Sequence, residues 1–70
     1  MAELQTRHFS LNNPAGEDQG DVPTLLRRLA GTLEEMGAIE IRDVVFHNDM
    51  DDDGDSWPFM TVYYDEAAPA

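Results

Sequence analysis

Two histidines, His8 and His47, are the side chains of this chain whose ordinary pKa places titration near neutral pH. Neither belongs to a local metal-binding spacing such as H-x-x-x-H. The hydroxyls of Thr6, Ser10, Thr24, Thr32, Ser56 and Thr61 lie outside any nucleophile-elbow context. Cysteine is absent, which excludes disulfides, thiolate zinc sites, iron–sulfur clusters and thiol nucleophiles. Gly16 and Gly20 flank acids, which repel phosphate, so no phosphate cradle is expected. Both histidines fall in expected strands, where a sheet could bring them together beside aspartates as a metal or acid–base site, but surface strand histidines are far commoner. The expectation is a protein that is not an enzyme and carries no cofactor.

The strongest chemical signal is a run of aspartates, His47-Asn48-Asp49-Met50-Asp51-Asp52-Asp53-Gly54-Asp55-Ser56-Trp57. Alternate carboxylates followed by glycine can converge on a hard cation when the backbone wraps around it. The spacing resembles the opening of an EF-hand calcium loop. That resemblance places Asp49, Asp51 and Asp53 at ligand positions one, three and five, with Asp55 at position seven through its carbonyl. It then fails twice. Met60 stands where a bidentate glutamate belongs, and the flanks read as strands rather than helices. A site here is expected to be weak. The competing reading is a hairpin connection whose aspartates and glycine supply turn geometry and resist edge aggregation.

Charge narrows the partners. The 70 residues hold fifteen carboxylates against four cations, a formal net charge of -11. Such a surface opposes direct binding to nucleic acid or to an anionic membrane, since both need basic patches. A basic protein remains open as a partner, with the chain acting as an acidic inhibitor or nucleic-acid mimic. The N-terminus lacks the basic and apolar regions of a signal peptide, and no apolar run approaches the ~18–20 residues of a membrane span. A cytoplasmic protein is the expectation. All four cations are arginine, and with abundant Ala, Gly and Asp this reads as the codon bias of a GC-rich bacterial genome.

Four elements must position these groups. Residues 4–11 form a weak first strand, and 12–20 are turn formers and charges that read as a loop. A loop so long in so short a chain is either mobile or has something to bind. Asp21 offers an N-cap and Pro23 fits the first turn of a helix over 22–36. Val22, Leu25, Leu26, Leu29, Leu33 and Met36 fall within about 60° of one direction on that helix. Gly37 sits where the helix should stop. On the polar face, Glu34 and Glu35 oppose the helix dipole and Gly31 costs helix propensity. They mark either an unoptimised solvent face or a partner-binding surface.

Residues 38–47 form a second strand. Ile39 and Ile41 alternate with Glu40 and Arg42, then the parity fails at Asp43, where Val44 and Phe46 belong to the opposite set. Either a β-bulge near Arg42–Asp43 restores one apolar face, or both faces are apolar and one needs cover. The acidic connection 48–56 precedes a last strand over 57–64, and 65–70 read as a disordered tail.

The order β-α-β-β predicts an α+β fold: a two-layer sandwich with a three-stranded, mainly antiparallel sheet and one helix on one face. Strand order 1-3-2 is preferred over a parallel pairing of the first two strands. One helix leaves the opposite face of the sheet open. Trp57, Phe59, Tyr63 and Val45 are expected to line that face as the interface of a homodimer, unless the long loop or the termini fold over it. A self-associating protein-interaction domain is therefore the leading functional expectation. The acidic mimic and weak calcium binding are its alternatives.

Overall fold

The computed structural model describes residues 6–66. Within them the elements run β1 (Thr6–Asn12), α1 (Val22–Met36), β2 (Ile39–His47) and β3 (Phe59–Glu66). The strands form one antiparallel sheet in the order β1-β3-β2, so the fold is α+β. Residues 4 and 5 of the expected first strand and 67–70 of the expected tail lie outside the described residues.

The helix forms where its cap and period require. The Asp21 carboxylate accepts the Thr24 N–H at 3.1 Å and the Thr24 hydroxyl at 2.9 Å, and Pro23 sits in the first turn. These bonds hold the Asp21 carboxyl below its ordinary pKa, the Thr24 backbone bond contributing most. At the other end Gly37 adopts φ 73° and donates its N–H to the Glu34 carbonyl, a backbone state that L side chains resist.

Leu25 and Leu29 of α1 meet Met60 and Val62 of β3 to make the buried core. Phe9, Leu11, Leu33 and Tyr64 pack around it. Leu26 departs from the expected apolar stripe and is 46% exposed. The helix lies over the β1–β3 half of the sheet: Arg28 on one flank donates to the Asn12 carbonyl at the end of β1. Leu26 is about 160° around the helix from Arg28 at 100° per residue, so it overhangs the β2 side.

In β2 the ladder steps from Ile41 opposite Tyr64 to Asp43 opposite Tyr63, leaving Arg42 as the extra residue. This is the bulge, the first of the two readings that the broken parity left open. It returns Val44 and Phe46 to the face of Ile41 and frees the Arg42 guanidinium to reach across the sheet.

The last strand is displaced toward the C-terminus from its expected bounds, and Asp65 is the reason. It was expected to begin the tail; instead it is 2% exposed, with Thr6 donating to it at 2.9 Å and Arg42 pairing through Nε. Bonding to Arg42 and then to Thr6 holds its carboxyl below the ordinary value. A buried carboxylate with two donors keeps the strand paired two residues longer than its apolar pattern implies.

Candidate functional site

The two faces of the sheet differ in a way the sequence did not reveal. Opposite the helix, the rows combine Thr6 and Asp65, His8 and Tyr63, Ser10 and Thr61, and Val45, His47 and Phe59. Polar pairing and stacking occupy them. The Ser10 and Thr61 hydroxyls are 2.8 Å apart, His8 lies 5.7 Å from the Tyr63 ring, and His47 stacks on Phe59 at 4.4 Å. Val45 and Phe59 are half-buried, and Tyr63 is exposed. Trp57 precedes β3, half-buried, and its indole N–H donates to the Asn13 carbonyl at 2.8 Å. The expected interface set is thus divided: Val45, Phe59 and Tyr63 share a mixed polar and aromatic face, while Trp57 anchors a loop.

A strip of exposed apolar side chains lies on the other face. Ile41, Val44 and Phe46 point to the helix side of β2 yet are 41%, 42% and 48% exposed, and Leu26 adds to them from the helix. The cause is width. A helix with its side chains is about 10–12 Å across, whereas three strands at ~4.8 Å spacing need more once their side chains are counted. Centred over β1 and β3, α1 stops short of β2.

Beside this strip runs a backbone edge that pairs with no other strand among the described residues. The register that sets His47 opposite Phe59 and Val45 opposite Thr61 continues into the hairpin. There Trp57 N–H donates to the Asp49 carbonyl at 2.8 Å and Asp51 N–H to the Asp55 carbonyl at 2.9 Å. Along this register odd-numbered residues of β2 bond inward to β3, so Val44 and Phe46 turn their N–H and C=O groups outward. Pro58, which has no N–H, falls opposite the outward-turned Asn48, as the same alternation requires.

The acidic loop is held by its own chemistry. Asp51 Oδ1 accepts the N–H groups of Asp53 and Asp55 at 2.9 Å each, and Oδ2 accepts Gln19 Nε2 at 2.8 Å. These bonds, the one from Gln19 foremost, hold its carboxyl below the ordinary value. Gly54 turns the chain at φ 83°, and Asp49 accepts the Met50 N–H. Asp49, Asp53 and Asp55 are exposed. Among the described residues no group of three His, Asp or Glu side chains is placed to hold a metal ion. Asp51 is the hub of a turn, and the loop 13–20 is its counterpart. Gln19 also reaches the Ser56 carbonyl, and buried Asn13 bonds the Asp18 and Asp21 carbonyls and accepts from Arg28. The long loop's binding partner is this chain's own hairpin.

The remaining candidates are scattered. His8 and His47 lie on opposite edge strands, so the sheet does not bring them together. Gly31, Glu34 and Glu35 are exposed on α1, and nothing lies within 4 Å of a Cβ added at Gly31. An open depression of about 300 Å³ borders Asn13, Thr24 and Arg28, whose polar groups already bond within the chain. Among the described residues no helix is long and apolar enough to cross a membrane. Comparison with protein-family models, curated proteins and solved structures gives no match, so the function must be argued from this geometry.

Proposed function

We propose that this chain is a small, non-enzymatic protein-interaction domain that self-associates. One observation carries the reading: the apolar strip of Ile41, Val44, Phe46 and Leu26 lies exposed along an edge strand whose outward hydrogen-bonding groups have no strand partner among the described residues. The fractional exposures correspond to about 350 Å² of apolar surface, a size at which patches on monomers are often functional. Burying half of it on each of two copies returns roughly 9 kcal/mol gross at ~25 cal/mol/Å². That falls inside the ~4–15 kcal/mol that association costs, so hydrogen bonds at the edge tip the balance and a micromolar dimer is the expected strength.

Sedimentation equilibrium tests this directly. The wild-type chain should approach twice its 7.9 kDa mass at high micromolar concentration and dissociate on dilution. Phe46→Ser should leave a folded monomer over the same range. A wild-type chain still monomeric at about 100 μM overturns the proposal.

A further inference from the structure

Resting on that self-association, we infer that two copies join by antiparallel pairing of β2 with β2 about a two-fold axis at Val45, forming a continuous six-stranded sheet. The constraint is the parity of β2. Outward hydrogen-bonding groups belong to Val44 and Phe46, and residues placed opposite one another in an antiparallel pair share a face of the sheet. Three registers satisfy both conditions between the bulge at Arg42 and the hairpin: those with Val44, Val45 or Phe46 on the axis.

Side-chain chemistry separates them. With Val44 on the axis, Val45 faces the partner's Asp43, and Phe46 meets the bulged Arg42, where the ladder is broken. With Phe46 on the axis, Asp43 meets the partner's Asp49, a like-charge pair that opposes association. With Val45 on the axis, Val44 and Phe46 exchange backbone hydrogen bonds and stack on the helix side. On the other face Asp43 lies opposite His47 of the second copy, a carboxylate against an imidazole N–H donor. Two such pairs form by symmetry.

The occupant of the strip is therefore a second copy of this chain. Its Val44 and Phe46 continue the apolar floor, and Leu26 of each helix flanks it. Charge placement agrees. The bulge and the Glu40–Arg42 segment end the free edge on one side, the aspartates of the hairpin end it on the other, and only residues 43–47 are left open to pairing.

A chain without cysteine allows a direct test by single substitutions. Val45→Cys places two thiols across a non-hydrogen-bonded pair with Cα atoms about 4.5 Å apart, inside the disulfide range. Mild oxidation should convert most of this variant to a reducible covalent dimer. Ser10→Cys, on the far edge strand, should cross-link only at the slow collisional rate. Asp43→Cys and His47→Cys should each remain uncoupled alone and cross-link when mixed, which keeps the test open should Val45→Cys fail to fold. If the wild type sediments as a dimer while Val45→Cys couples no faster than Ser10→Cys, and the Asp43→Cys and His47→Cys mixture also fails, this register is wrong although self-association stands. If the wild type is monomeric, the functional proposal falls first, and this inference with it.

Discussion

Replacing Leu25 with alanine tests whether the helix docks in the phase described, because its neighbour Leu26 supplies a matched control. Leu25 is fully buried and belongs to a core whose other buried members are Leu29, Met60 and Val62. Leu25→Ala removes three carbons, about 2–3 kcal/mol of transfer free energy at ~0.8 kcal/mol per methylene. The cavity adds to this, although half-buried Phe9, Leu11 and Leu33 can partly close it, so the loss should be about 3 kcal/mol. A domain of this length has a total stability of roughly 4–10 kcal/mol, so the fall in Tm should be about 12–24 °C. Leu26→Ala removes the same atoms from a site 46% exposed and leaves no enclosed void, which predicts a loss of about 1 kcal/mol or less. Urea unfolding followed by circular dichroism reads both. The measurement belongs at dilutions where the midpoint no longer depends on concentration, so that association does not enter. Equal losses for the two variants, or a larger loss for Leu26→Ala, would refute the placement of α1 over β1 and β3.

Two further outcomes follow from the same geometry. Asp21, Asp51 and Asp65 all have carboxyls held below their ordinary values, so each favours the folded state fully above the unfolded pKa of about 3.9. Stability should therefore be level above about pH 5 and fall as pH drops through about 3.9 toward the folded-state values. Asp65→Asn should flatten that fall, and an unchanged acid slope would show that the Arg42 and Thr6 bonds contribute nothing. Gly31→Ala should stabilise the protein by about 0.8–1 kcal/mol, since it removes a helix-interior glycine and the added methyl meets nothing. Gly37→Ala should destabilise because of its φ of 73°. If Gly31→Ala gains stability and the dimer is unaffected, the face of Gly31, Glu34 and Glu35 is plain solvent surface.

The helix was legible because three independent signals coincided: an N-cap at Asp21, the apolar period and a glycine stop. The bulge was legible as one of two readings, because strand parity is strict and an apolar set that changes sides at Asp43 needs either an extra residue or cover on both faces. Asp65 was not legible. Its neighbours Glu66 and the Ala/Pro residues after it read as a tail, and nothing local announces a partner that arrives from a bulged arginine elsewhere in the sheet. The role of the loop 13–20 was hidden for the same reason, since Gln19 and Asn13 find their partners on a hairpin distant in sequence.

The proposed interface was legible only as a deficit. Counting apolar residues showed that one helix could not cover this sheet, and the aromatic residues at alternate positions of the last strand pointed to the face opposite the helix. Coverage is not a property of whole faces. Coverage by a single helix is instead a matter of width, and the strand farthest from its axis loses shelter first. On the open face, hydroxyls, a carboxylate with its arginine, and His47 stacked on Phe59 engage one another within the sheet. On the helix side, Ile41, Val44 and Phe46 are exposed apolar side chains, and their backbone edge has no strand partner among the described residues. An exposed apolar surface and an outward-facing backbone edge coincide at Val44 and Phe46, and these are the two things a β-strand pairing needs. The aspartates of the hairpin border that segment, and so would limit how far the proposed pairing can run without preventing it.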